Sequence, residues 1–120
     1  MHKPLIVAAL LFAAPADAMT AAAFLDKADA LKAKGAMALF SSDLKLLKSE
    51  VTGAAGQLRA ERVAAANAGR KPAYCPPAKG NTMNSDQIVA IMRAVPAAER
   101  PRVQVKDALR AHFARTYPCG

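Results

Sequence analysis

The chain has 120 residues, 53% of them apolar, 22% charged and 5% aromatic, with two cysteines, no tryptophan and a formal net charge of +8. That length holds one domain, and much of its apolar share is alanine, which buries little area per residue, so the core is thin. A multi-lobed enzyme is excluded, and the chain lacks the βαβ repeats, Gly-rich phosphate loops, CxxC pairs and HExxH motif that mark nucleotide or metal chemistry.

Residues 1–18 read as a secretory leader. Met1-His2-Lys3 is a short basic start, Leu5 to Ala14 is an unbroken apolar run, Pro15 breaks it, and Ala16-Asp17-Ala18 is a small-x-small cleavage site. The run is shorter than the roughly 20 apolar residues a membrane span needs. Cleavage after Ala18 is expected, leaving residues 19–120 as one helical domain in the periplasm. It removes one cation, Lys3, and one anion, Asp17, so the charge stays at +8. A basic exported domain favours acidic partners, whereas export argues against nucleic acid. Cys75 and Cys119 both survive cleavage. Two cysteines in an oxidising compartment are expected to pair, and the prolines beside them favour a structural bond over a redox pair.

The remaining chain reads as all-α, with about four helices and one long central helix, because no stretch alternates apolar and polar residues with β-branched content. The first helix is expected over Ala21–Lys34, capped by Thr20 and stopped by Gly35, with Phe24, Leu25, Ala28 and Leu31 inward. A short apolar turn, Ala36 to Phe40, follows. Ser41-Ser42-Asp43 then opens a long helix from Asp43 to Ala68, with Ser42 as its expected cap. Its inner positions are Leu44, Leu47, Val51, Ala54 or Ala55, Leu58, Arg62 and Ala65. At about 39 Å this helix bends at Gly53 and Gly56, projects from the body, or packs in a homodimer.

Arg70 to Asn84 is a loop, rich in proline and held by Cys75. Ser85 is the expected cap of the third helix, whose Ile88, Val89, Ile91, Met92 and Val95 form the cleanest amphipathic face in the chain. Pro96 stops it. The charged turn Ala97 to Arg102 leads to a last helix over Val103 to Thr116, with Val105, Ala108, Leu109 and Phe113 inward and Lys106, Arg110 and Arg115 outward.

Beyond the leader the only histidine is His112, and one imidazole falls short of the three or four ligands of a zinc site. It reads as a partly buried structural residue. The serines lie outside any nucleophile elbow, and most carboxylates occupy helix starts or exposed faces. No catalytic, cofactor or metal cluster is legible, and a binding protein is the expectation. The candidate surface is basic. Arg59, Arg62, Arg70 and Lys71 fall on the end of the long helix and the loop after it, and Arg100 and Arg102 fall in the last turn. Arginine can meet the carboxylates of an acidic partner bidentately.

From Tyr74 the chain runs Tyr74-Cys75-Pro76-Pro77, then Gln87-Ile88-Val89 and Ile91-Met92, then Val95-Pro96, Lys106-Asp107-Ala108-Leu109 and finally Tyr117-Pro118-Cys119. This ordered set resembles the Rap/Tai family of type VI secretion immunity proteins over residues 74–119. The resemblance implies a small periplasmic helical protein, often a homodimer, that blocks the active-site cleft of a peptidoglycan amidase toxin and has no catalysis of its own. It also implies pairing of Cys75 with Cys119, and it carries over no toxin-contacting residue. The alternative from charge alone is an envelope adaptor that binds an acidic protein or an anionic polymer.

Overall fold

Thr20 opens the first helix, and its hydroxyl accepts a hydrogen bond from the Ala23 N–H at 3.1 Å. That capping starts helix α1 (Ala21–Lys34), in a computed structural model that describes residues 18–79 and 82–120. The expected leader lies outside the described residues apart from Ala18. The other helices are α2 (Ser42–Asn67), α3 (Ser85–Ala94) and α4 (Val105–Thr116), with a 3-10 turn over Gly35–Phe40 between α1 and α2. The fold is all-α, and no strand occurs among the described residues.

α1 starts as expected, and the starts of α2, α3 and α4 differ from expectation by one or two residues. Ser41, not Ser42, caps α2, by accepting from the Asp43 N–H at 3.3 Å. Asn84, not Ser85, caps α3. Its side chain accepts from the Gln87 N–H at 2.8 Å, and the Gln87 side chain accepts from the Asn84 N–H at 2.9 Å. This reciprocal pair satisfies two orphan donors and outcompetes a lone serine. α4 starts at Val105, not Val103, because the two preceding residues meet the N-terminal segment. The Ala21 N–H donates to the Val103 carbonyl at 2.8 Å and the Val105 N–H donates to the Met19 carbonyl at 2.9 Å, around an isolated antiparallel bridge between Thr20 and Gln104. The Ala22 N–H donates to the Arg100 carbonyl at 3.1 Å. Donors that a helix start would leave unpaired are thus satisfied by another element.

α2 runs unbroken through Gly53 and Gly56, so the expected alternative of a break there is not taken. It ends in a Schellman arrangement. Gly69 adopts φ +69°, its N–H donates to the Ala66 carbonyl at 3.1 Å, and the Arg70 N–H donates to the Ala65 carbonyl at 2.8 Å.

The core gathers one face from each helix. α1 supplies Ala21, Phe24, Leu25 and Leu31; α2 supplies Leu47, Ala54 and Leu58; α3 supplies Ile91 and Met92; α4 supplies Val105, Ala108 and Leu109. Of the two alanines left open on α2, Ala54 is buried and Ala55 exposed. α2 packs on α4 and α1, while α3 packs on α1 and α4. Leu58, Val105, Met92 and Leu109 are the largest fully buried side chains, and each contributes about 1.5–3 kcal/mol by leaving water.

Cys75 and Cys119 form a disulfide with Cα atoms 5.0 Å apart, well inside the range such a bond needs. Beside it the Cys75 N–H donates to the Tyr117 carbonyl at 2.8 Å. The bond closes a loop containing α3 and α4. Reduction should lower the unfolding free energy by about 4 kcal/mol by the chain-entropy relation; urea melts with and without reductant measure it. Gly53 and Gly56 sit inside α2 with open space where a Cβ would stand. Gly53→Ala and Gly56→Ala should each raise stability by about 0.5–1 kcal/mol, read as an increase in melting temperature.

Candidate functional site

The disulfide brings the segment after α2 onto the end of α4. Tyr74 is buried, with its ring 5.2 Å from that of Phe113 in the last turn of α4. Phe113 in turn lies 6.1 Å from Tyr117 and 5.7 Å from the imidazole of His112. These centroid separations fall in the favourable range for aromatic pairs. The outer side of Tyr74 meets α2. The Arg62 guanidinium lies over its ring, 5.1 Å from the centroid, in a cation–π contact.

Arg62 and Arg59 flank a shallow groove of about 340 Å³, paved by Val63, Ala66, Tyr74 and the disulfide segment from Pro72 to Pro76. The Arg62 Nε is buried and finds no hydrogen-bond partner among the described residues. Burying a guanidinium N–H without an acceptor is costly, and the stacking of Arg62 on Tyr74 offsets part of that cost.

The six predicted cations divide into two groups. Arg59 and Arg62 share the groove. Arg70 and Lys71 lead into Pro72 on its wall; both are exposed, and the Lys71 ammonium donates to the Gly120 carbonyl at 3.3 Å. Arg100 and Arg102 lie beyond the other end of α4, which is about 18 Å long. Arg100 is taken up internally: its Nε donates to the Val95 carbonyl at 2.9 Å and its Nη2 to the Arg93 carbonyl at 2.7 Å, which caps the end of α3. Arg102 is exposed, with one long contact of 3.5 Å to the Ala98 carbonyl.

Arg110 and Lys106 do not face outward as expected. Both are half-buried at the seam of α2 and α4, where Glu61 receives them. Arg110 donates from Nη2 to Oε1 at 2.7 Å and from Nε to Oε2 at 3.1 Å, and Lys106 stands 3.7 Å from Oε1. Arg110 also meets Asp107 at 2.7 Å. The Arg110 hydrogen bond holds the Glu61 carboxyl below its ordinary value, against an opposing push from burial, and Glu61 raises Arg110. The spacing within α4 put both cations on its outer face; it carried no information about the glutamate on another helix.

The groove contains features the sequence alone did not signal. Tyr74, Val63, Pro72 and Pro76 form its floor and wall, and of these only Tyr74 and Pro76 belong to a run with a signal in the sequence. Among the described residues no group of three or more His, Cys, Asp or Glu side chains is placed to hold a metal ion. No helix among them is long and apolar enough to cross a membrane. No family model matches the chain, and neither a curated protein nor a solved structure matches it.

His112 lies next to Phe113, with Nε2 at 3.3 Å from the Thr116 hydroxyl. Burial, aided by nearby Arg115, lowers its pKa from the ordinary 6.5. A histidine lowered on folding binds protons more readily when unfolded, so its contribution is full above about pH 6.5 and is lost as acid is added. The lowered Glu61 acts with the same sign in a more acidic window, below its ordinary 4.5. Melting temperature should therefore fall between about pH 7 and pH 5, and His112→Asn should flatten that slope while leaving the steeper loss below it. Thermal melts across pH check both.

Proposed function

We propose that the chain is a non-catalytic, exported inhibitor that neutralises a peptidoglycan amidase toxin delivered by type VI secretion, by covering the toxin's active-site cleft. The observation that carries this reading is the groove beside the disulfide. Arg59 and Arg62 flank apolar and aromatic floor residues there, and the Arg62 guanidinium lies over the Tyr74 ring. Interface hot spots combine these ingredients: arginine and tyrosine at the centre, a desolvated floor, and a partner that supplies carboxylates. The ordered resemblance of residues 74–119 to Rap/Tai immunity proteins supports the same reading and supplies the class of partner. The leader-like residues 1–18 and the disulfide support a periplasmic location. Arg59, Arg62, Arg70 and Lys71 form the binding surface in this reading; Arg102 lies outside it, and Arg100 serves α3. Members of the family resembled are often homodimers, and a homodimer is the assembly this reading puts to the test.

The test is capture from periplasmic extract with the oxidised protein, followed by an assay of the captured enzyme on peptidoglycan. A stoichiometric complex with an amidase whose activity falls to the background supports the proposal. Arg59→Glu and Arg62→Glu should each weaken that complex by about 30-fold, corresponding to ~2 kcal/mol. Light scattering of the complex reads the number of copies. Retention of only salt-labile envelope material would favour an adaptor and overturn the inhibitor reading.

A further inference from the structure

The turn between α1 and α2 breaks the usual division between buried and exposed side chains. In Gly35–Phe40 only Ala38 packs against the core. Met37 is 66% exposed, Leu39 75% and Phe40 85%, three large apolar side chains within four consecutive residues. The backbone that presents them is held at both ends. Gly35 turns the chain with φ +57°, and the Ser41 N–H donates to the Ala38 carbonyl at 3.0 Å. The turn meets only α1 and α2 among the helices, so it forms the free tip of their hairpin.

The exposed, unpaired charges nearest this tip are all positive. Lys32 and Lys34 stand in the last turn of α1, and Lys45 and Lys48 lie in the first two turns of α2, within about 9 Å of helix rise from its start. All four are exposed, and none makes an ion pair among the described residues. The nearest carboxylates along the chain are engaged: Asp43 pairs with Lys27 at 3.4 Å, and Glu50 accepts from the Met19 N–H at 3.3 Å. Lys34 reaches across the turn, with Nζ at 3.5 Å from the Ser41 hydroxyl.

We propose that this tip is a membrane-docking wedge, with Met37, Leu39 and Phe40 entering the interface of an anionic bilayer and Lys32, Lys34, Lys45 and Lys48 resting on its headgroups. Charge complementarity and the identity of the cations both favour this occupant. Lysine is a point charge on a flexible stem, which suits a fluid layer of anionic headgroups and lies along an apolar surface with its ammonium in water. Lysine is depleted at protein interfaces, where arginine is favoured, and arginine is what the groove at the other end of α2 carries. The tip is also too small for self-association. Three side chains offer a few hundred Å² at most, against about 800 Å² per partner in a standard interface. The wedge does not depend on the inhibitor reading, since it uses a different part of the molecule.

Because the chain has no tryptophan, Phe40→Trp in the full chain places a single emitter at the tip. With vesicles of equimolar phosphatidylcholine and phosphatidylglycerol, its emission should shift to the blue and be quenched by brominated acyl chains. With phosphatidylcholine alone, or at about 1 M salt, where charge is screened over ~3 Å, the shift should vanish. The readout is local, so binding through another segment leaves it unmoved. In sedimentation, Leu39→Asp with Phe40→Asp should cut binding to the anionic vesicles by roughly tenfold, with an unchanged melting temperature, because both side chains are exposed. An emission that ignores anionic vesicles overturns the proposal. So does an equal shift with neutral vesicles, a shift that grows with protein concentration without lipid and marks a second copy, or one that needs an added protein partner.

Discussion

The bond between Cys75 and Cys119 is the constraint on which the rest of the arrangement depends. It joins the irregular segment after α2 to the end of α4. An alanine-rich chain of this size buries limited area, and its described proline-containing segment lies outside the helices that pack the core. Closing that segment covalently lowers the entropy of the unfolded chain and sets Tyr74 against Phe113. Once Tyr74 is fixed, Arg62 has a surface to lie on and the groove has a floor. Structure and candidate site therefore share one origin, and the groove is the outer side of the closure.

Charge is distributed along the same axis. Surface ion pairs peg the helices to one another: Lys27 with Asp43 joins α1 to α2, Arg93 with Asp29 joins α3 to α1, and Arg110 with Glu61 joins α4 to α2. Each contributes little by itself in solvent. Their larger effect is to use up carboxylates. With nine acidic residues against 17 lysines and arginines, pairing leaves an excess of free cations, and two groups of them are clustered. Arginines gather at the groove and lysines at the tip of the α1–α2 hairpin. The chemistry of the two groups differs, since a rigid fork selects carboxylates in fixed geometry and an ammonium follows a diffuse negative layer.

Parts of the candidate site were legible from residue order. Arg59 and Arg62 are three apart on one helix, so any helical reading places them together, and both flank the groove. Tyr74 adjoins Cys75, so the disulfide was bound to carry an aromatic ring with it. Arg100 was not legible, because its role is to satisfy carbonyls at the end of α3, a contact made across a turn. The assignment of Arg110 to the outer face failed for a related reason. Periodicity tells which residues of a helix share a face, but a long cation at the edge of that face can reach the neighbouring helix and finds its partner there.

The sequence by itself determined the all-α class, the extents of α1 and of the long α2 to within a residue or two, the inward faces and the pairing of the cysteines. These follow from local rules: period, capping, glycine stops and a count of two thiols. Only the tertiary structure decided the caps at Ser41 and Asn84, the delayed start of α4, the continuity of α2 through Gly53 and Gly56, and the use of Arg100 and Arg110 within the fold. It also decided that Met37, Leu39 and Phe40 stay in water, although composition would bury them. The two caps turn on side chains two or three residues away, and the start of α4, the place of Arg110 and the bare tip turn on what another segment offers. The Met19–Thr20 segment claims the backbone before Val105, while among the described helices only α1 and α2 meet the hairpin tip and leave its side chains bare. Local preference sets which elements form, and the partners available across the fold set where each begins and which side chains are left over.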